Sequence, residues 1–350
     1  MKNGGKRMNG IFNAIDLFSG AGGITEGLKE AKFNVVMATD IDHDFATAHR
    51  RNSPGIPFLE TDITKISPEM FKYFCNGHQV HLVSGGPPCQ GFSLNGTRDA
   101  DDPRNKLFKQ YFKILKILNP EFFFMENVLG MMSLQNKNGI KFIDYVMAEF
   151  KKLKGYHVDY RIVNMADYGV PQSRKRVVII GNRLGLSIDE CLPEPEYGTG
   201  RKFPYEKCGK YIMDLVSVPE GALPNHRVMN HSKDVIRTMR LVKEGKYMPK
   251  NLGNNGPKKK TFQTVYRRLD RNKPAPTMVP GHSAFPIHPT QDRSLTFREA
   301  ARIQTFRDDY EFFGTTIAQA LAVGNAVPPL FAKKLGQNLL TLLQRYTKQK

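Results

Sequence analysis

The stretch Ile11-Phe-Asn-Ala-Ile-Asp-Leu-Phe-Ser-Gly-Ala-Gly-Gly23 decides the fold. Residues 11–17 read as a strand and 18–23 as a glycine-rich turn, after which Ile24, Leu28 and Ala31 recur at helical spacing. A strand that passes through such a turn into a helix opens an α/β unit, with the turn at the strand's carboxyl end. Working outward, a second strand fits 35–39 and a helix 43–51. Residues 80–84 read as a strand, 106–118 as an amphipathic helix and 121–125 as a fully apolar strand. A helix fits 139–153, with strands near 157–163 and 176–181. Strands alternating with helices predict an α/β fold, a doubly wound and mostly parallel sheet covered on both faces.

The pattern changes after about residue 185. Residues 186–285 are rich in Pro, Gly and Asn and hold 18 Lys/Arg against 10 Asp/Glu. That density of positive charge marks a smaller, loop-rich, basic module or, more simply, a solvated insertion. Helical patterning returns from about 293, and Leu330, Leu335, Leu339, Leu340 and Leu343 suit a closing helix. The expected organisation is a catalytic body at 1–185, a separate domain at 186–285 and a return to the body at 286–350.

Over the whole chain 52 Lys/Arg face 33 Asp/Glu, a net charge of +19 that favours a polyanionic partner, most often nucleic acid. No apolar run approaches the roughly 20 residues of a membrane helix. Residues 1–10 carry no apolar signal core, so the expected location is the cytoplasm or nucleoid. Cys75, Cys89, Cys191 and Cys208 form no C-x-x-C pair and no zinc-spaced set with histidine, so neither a metal nor a disulfide framework is expected.

Three places carry candidate chemistry. Asp16–Gly23 lets a ligand approach the backbone closely and offers free amides at a helix start, although it would serve equally as a plain tight turn. It is not the dinucleotide G-x-G-x-x-G, because position 25 is Thr. Asp40 ends the second strand, where a carboxylate can accept hydrogen bonds from a ribose diol, and Asp62 follows a third strand, where it could meet an adenine amino group. Ser84-Gly-Gly-Pro-Pro-Cys-Gln-Gly-Phe-Ser93 places Cys89 on a stiff loop after the fourth strand, where open α/β sheets keep their active sites.

Gly-Pro-Pro-Cys-Gln-Gly-Phe-Ser resembles the catalytic loop of the 5-cytosine DNA methyltransferases, and further segments extend the resemblance. Asp16–Gly23 is similar to the family's first cofactor motif, Glu126-Asn127-Val128 to its Glu-Asn-Val motif, and Gln172-Ser-Arg174-Lys-Arg176 to its Gln-x-Arg-x-Arg motif. Residues 293–310, with Arg298, Glu299 and Arg302, resemble the ninth motif, and Gln319 through Pro328 the tenth. The order is the family's usual one, and the segments frame nearly the whole chain except 186–275.

The resemblance implies a Rossmann-like methyltransferase fold with a target-recognition domain, and S-adenosylmethionine as methyl donor. It implies Cys89 as the nucleophile that attacks carbon 6 of cytosine and Glu126 as the acid at ring nitrogen 3. Arg174 and Arg176, spaced to face one side of a strand, would hold the base carbonyl and a phosphate, unless they are a plain edge-strand basic pair. For the cofactor it implies Phe18 against adenine, Asp40 on ribose, Asp62 and Ile63 at the adenine edge and Asn325 near the methionine end. Ser19, Gly20, Gly22, Gly23, Pro87, Leu107 and Ala326 would complete that site. Ile41 stands where the family often has an aromatic residue, so stacking there is weaker.

A stacked base is out of reach, so the target should be flipped, with residues 91–106 as a lid bearing Ser93 and Arg104. Lys258-Lys-Lys260, Arg267, Arg268 and Arg271 are the candidate phosphate contacts, and Thr277-Met278 stands in place of the family's Thr–apolar pair. The implied substrate is a specific double-stranded DNA sequence and the implied role is restriction–modification or genome marking, with a restriction endonuclease for the same site as companion. A monomer is expected. The alternative reading is a tRNA cytosine methyltransferase.

Overall fold

A computed structural model describes residues 10–75, 77–88, 105–135, 139–249, 266–278 and 285–349. Its first half runs β1 (Asn13–Leu17), α1 (Gly23–Glu30), β2 (Asn34–Asp40), α2 (His43–Asn52), β3 (Phe58–Glu60), α3 (Pro68–Phe74), β4 (Val80–Gly85), α4 (Asn105–Leu118) and β5 (Phe122–Val128). Then come α5 (Gly130–Ser133), α6 (Phe142–Phe150), β6 (His157–Asn164), β7 (Gln172–Ser173), β8 (Lys175–Asn182), α7 (Ile188–Cys191), α8 (Gly209–Ile212) and α9 (Lys233–Arg240). The chain closes with β9 (Ala275–Pro276), α10 (Phe297–Ile303), α11 (Thr316–Asn325) and α12 (Pro329–Gln349).

Seven strands form one sheet in the order β3-β2-β1-β4-β5-β8-β6. The pairs from β3 to β5 are parallel, whereas β8 runs antiparallel to both β5 and β6. The chain winds outward from β1 through β2 to β3 and then restarts on the other side of β1 with β4. The switch point thus lies between β1 and β4, and the glycine-rich turn 18–23 and residues 86–88, the described start of the loop that carries Cys89 in sequence, leave the carboxyl ends of those two strands.

Strand residues alternate between two cores, as a pleated sheet requires. Ala14, Leu82, Phe122, Phe124, Val178 and Ile180 pack with α1, α7 and α12. Ile15, Leu17, Val83, Phe123, Met125 and Val177 pack on the other face with α3, α4 and α6. Helix α12 lies close against α1: a Cβ added at Gly27 would come 2.4 Å from Ala332 Cβ, so only glycine fits the contact. The C-terminal helix thereby braces the helix that the cofactor-like loop feeds.

The expected boundary at 186 falls inside the packed body. Ile188 and Cys191 belong to the core that α12 completes, and Asn338 Nδ2 donates to the carbonyls of Glu190 and Cys191 at 2.8 and 2.9 Å. A third core joins α10 and α11 to Cys208, Ile212, Leu269, Ala275 and Met278. A small fourth one, Met239, Val242, Met248 and Ile287, gathers around α9. Short motifs and charge show that the chain leaves the sheet but not where it stops packing against it. No described helix is long and apolar enough to cross a membrane. Among the described residues no group of three His, Cys, Asp or Glu could hold a metal ion.

Candidate active site

The glycine-rich turn is held from below by β2. Ser19 N donates to Thr39 O and Gly20 N to Asp40 Oδ2, at 2.9 and 2.8 Å. Asp40 Oδ1 accepts from Ile41 N and Asp42 N at 2.8 and 3.1 Å. Asp40 therefore shapes the backbone around itself, and burial pushes its carboxyl above the ordinary range. Phe18 and Gly22 take left-handed φ values of 55° and 93°. Gly22 also has no room for a side chain, since a Cβ would sit 2.7 Å from Tyr310 Oη. Gly20 is the opposite case, with nothing within 4 Å of an added Cβ. Asp62 turns back on Thr64, accepting from its N and Oγ1 at 2.9 and 2.8 Å, bonds that hold its carboxyl low. Ile63 and Pro87 are buried, Leu107 and Ala326 half-buried, and Asn325 and Ile41 exposed, Ile41 at 68%.

Glu126 and Arg176 meet at the carboxyl end of β5. Register pairs Val128 with Arg176 and Glu126 with Val178, so the acid and the guanidinium are diagonal neighbours on one face. Arg176 Nε lies 2.9 Å from Glu126 Oε1, both side chains about 90% buried. The N–H is not aimed along that line, so neither atom completes a hydrogen bond. Asn127 Nδ2 donates to Pro87 O at 3.0 Å, tying the Glu-Asn-Val segment to the backbone just before Cys89. A Cβ at Gly86 would lie 3.2 Å from Glu126 O and 3.8 Å from Glu126 Oε2, so Gly86 lets the strand end pack directly against the acid. Cys89, Ser93, Arg104 and Lys258–Lys260 lie outside the described residues.

Arg174 behaves differently from Arg176. It occupies the single-residue break between β7 and β8, so the strand that was expected to set both on one side is interrupted. Its Nη1 and Nη2 donate to Gly324 O and Asn325 O at 2.9 and 3.1 Å, carbonyls left free at the end of α11. It is 1% exposed, and burial, helped by the charge of Arg176, pulls its guanidinium down to about 9. Gln172, the first residue of that motif, is a further organising group. Its Nε2 donates to Gln304 Oε1 at 3.0 Å and its Oε1 accepts from Met278 N at 3.1 Å. Thr277 Oγ1 donates to Ser173 O at 3.0 Å, so the Thr–Met pair is strapped onto the Arg174 segment.

Among the described residues seven buried side-chain atoms lack a hydrogen-bond partner. Ser19 Oγ, Glu126 Oε1, Arg174 Nε and Arg176 Nε are four of them, and all lie in segments singled out by their motifs. Glu126 Oε1 and Arg176 Nε face each other as an ion pair at 2.9 Å, whereas Ser19 Oγ and Arg174 Nε have no partner, a cost of about 1–3 kcal/mol each that a bound ligand would offset.

The basic residues of the 186–285 region divide. Arg267 stacks on Tyr247, 4.9 Å from the ring centroid, and Arg271 pairs with Glu244. Arg268 corrects the sequence reading: it is 5% exposed and donates to the carbonyls of Val242, His288, Gln291 and Met239 and to Asp292 Oδ1. No surface donor remains for a phosphate, and an Arg-Arg pair in a basic stretch gives no sign of which one points inward. Arg268→Ala is expected to cost about 3 kcal/mol of unfolding free energy in urea titration, since it strands four buried carbonyls. Arg267→Ala should cost little stability and, if Arg267 meets a phosphate, lower the salt slope of DNA binding by about 1.

Sequence reading gave no separate role to Asp16, although it begins the first motif. Its carboxylate is fully buried between α1 and β4, accepting from Thr25 Oγ1 at 2.8 Å and Ser84 Oγ at 2.9 Å. Burial raises it from 3.8 to about 6 against those bonds. A carboxyl raised in the folded state contributes stability that is complete below its unfolded value and lost as pH rises through the folded one. The stability difference between wild type and Asp16→Asn should therefore shift against wild type between pH 4 and pH 6, by about 3 kcal/mol at most, in unfolding measured across that window.

The family model for C-5 cytosine-specific DNA methylase matches residues 12–341. Type II methyltransferase M1.HphI of Haemophilus parahaemolyticus is 37% identical over 338 residues, covering 94% of this chain and 86% of its own. Type II methyltransferase M.DdeI of Desulfomicrobium norvegicum is 34% identical, covering 93% and 88%. Among solved structures, one described as a DNA modification methyltransferase encoded within a prophage (E. coli) superposes with a TM-score of 0.73 at 26% identity, covering 95% of this chain and 99% of that one.

Proposed function

We propose, from the premise that this chain belongs to the C-5 cytosine-specific DNA methylase family, that it methylates carbon 5 of a cytosine flipped out of a specific double-stranded DNA sequence. The observation that carries the reading is Glu126 paired with Arg176 at the carboxyl end of β5, with Asn127 tied to the carbonyl of Pro87, two residues before Cys89 in the chain.

Carbon 5 of cytosine is a poor nucleophile until a thiolate adds to carbon 6. Cys89 forms that bond, and Glu126 holds a proton at ring nitrogen 3, offsetting the charge that develops on the ring. Carbon 5 takes up a methyl group and loses its hydrogen as a proton. The bond from sulfur to carbon 6 then breaks and the thiolate returns. Arg176 fixes the carboxylate, and Arg174 fixes the end of α11 while keeping Nε free for the base.

The methyl donor is S-adenosylmethionine, which supplies an electrophilic methyl group when bound. The cradle suits it: Gly20 has open space, Ser19 Oγ is buried and unpartnered, and Asp40 ends the neighbouring strand. Phe18, Ile41, Asp62, Ile63, Pro87 and Leu107 would line the adenosine end, with Gly22, Gly23, Asn325 and Ala326 towards the methionine end. The region within 186–285 reads the DNA sequence, with Ser93, Arg104, Arg267 and Thr277 meeting the duplex. The two type II relatives named above support a type II role for this chain, with an endonuclease for the same site as its companion. Transfer of labelled methyl groups to duplex DNA but not to tRNA is the expected result; labelling of tRNA alone would overturn the choice of substrate.

A further inference from the structure

The cofactor-like turn is gripped from a second side, by a residue that belongs to none of the groups placed in the site. Tyr310 is fully buried, and its Oη donates to the carbonyl of Ala21, in the middle of the turn. The next residue, Gly22, has a φ of 93° and faces the same hydroxyl at 2.7 Å from where its Cβ would be. Gly22 N in turn donates to Ser19 O at 2.9 Å. The peptide that joins Ala21 to Gly22 is thereby fixed at its carbonyl by Tyr310 and at its amide within the turn.

Tyr310 is itself held. Its ring packs on Phe306 and Phe312 at centroid distances of 4.8 and 5.3 Å. Its carbonyl accepts from Arg298 Nη2, and the same guanidinium donates to Arg307 O at 2.6 Å and Pro224 O at 2.9 Å. Arg298 is wholly buried, so its three carbonyl partners replace the water it gave up. Burial also keeps the Tyr310 phenol far above its ordinary range, so the hydroxyl stays protonated and remains a donor.

We propose that Tyr310 is a positioning residue for the methyl donor: its hydroxyl sets the Ala21–Gly22 peptide, and with it the amides at the start of α1, in the orientation that binds the cofactor. This rests on the reading of residues 18–23 and Asp40 as the cofactor cradle. Without the hydroxyl, the Ala21 carbonyl loses its buried partner and the peptide can rotate about a glycine that resists no φ value. Cofactor binding then carries the cost of setting the turn. The chemistry at Cys89 and the surface that meets DNA are untouched.

The test measures S-adenosylhomocysteine affinity by titration calorimetry, together with kcat and KM for S-adenosylmethionine and for DNA. Four proteins are compared: wild type, Asp40→Ala, Tyr310→Phe and Phe306→Leu. Tyr310→Phe should weaken S-adenosylhomocysteine binding and raise the cofactor KM about tenfold, the equivalent of about 1.4 kcal/mol, with kcat and the KM for DNA within about twofold of wild type. Phe306→Leu removes ring packing from Tyr310 but not the hydroxyl, so it should lower thermal stability and leave the cofactor KM alone. A Tyr310→Phe variant with wild-type cofactor affinity overturns the proposal. So does one that no longer unfolds cooperatively, or a Phe306→Leu variant that shifts the cofactor KM equally, because either makes the contact a matter of stability alone. If Asp40→Ala binds as tightly as wild type, the cradle itself has been misplaced, an outcome separate from failure of the Tyr310 arm.

Discussion

With Cys89 replaced by Ser, methyl transfer is expected to fall by about 10⁴-fold or more while the fold is retained. A serine hydroxyl has nearly the size of a thiol but almost no anionic fraction at neutral pH, whereas a thiol needs only a modest environmental shift to become thiolate. Addition at carbon 6 is the step that makes carbon 5 reactive, so nothing later in the sequence can compensate. Single-turnover transfer of a labelled methyl group, with circular dichroism and S-adenosylhomocysteine binding as controls, measures the effect. Retention of substantial transfer would remove the covalent route.

Glu126→Gln is expected to lower kcat by about 10²- to 10³-fold, with KM for both substrates little changed. Gln keeps the volume but cannot hold a transferable proton at ring nitrogen 3. It also removes the negative charge beside Arg176, so a stability loss of up to about 3 kcal/mol should accompany it, read from urea unfolding. The two losses are separable, because Arg176→Met would strip the same ion pair while leaving the acid in place. A kcat loss equal in both variants would assign the effect to the pair, not to the acid.

Much of the architecture was legible because its signals are local. The strand–turn–helix at 11–31 and the later strands are apolar runs bounded by glycine, proline or charge, and they fold within a few residues of where their pattern places them. What was not legible depends on partners distant in sequence. The reversal of β8 is set by pairing to β5 and β6, which no periodicity encodes. Arg174 and Arg176 share a spacing but not a strand, since the chain breaks at Arg174 to reach the end of α11. Arg268 reads as surface charge and is a buried hub, because its four carbonyl partners come from 239–242 and 288–291. Tyr310 ends the 293–310 segment with nothing local to mark it out, because its contact with Ala21 spans 289 positions. Glu126 was singled out by its own motif, and the fold sets its carboxylate 2.9 Å from Arg176 of a second motif, a pairing that neither motif encodes.

The most direct test of the central claim is mass spectrometry of the chain after reaction with S-adenosylmethionine and duplex DNA copied with 5-fluorodeoxycytidine triphosphate. Fluorine at carbon 5 cannot leave as a cation in place of the proton, so the bond from sulfur to carbon 6 should persist. The account predicts a methylated 5-fluorocytosine adduct on the peptide that carries Cys89, formed only when the methyl donor is present. Normal turnover of cytosine DNA with no such adduct, or an adduct on Cys75, Cys191 or Cys208, would contradict it.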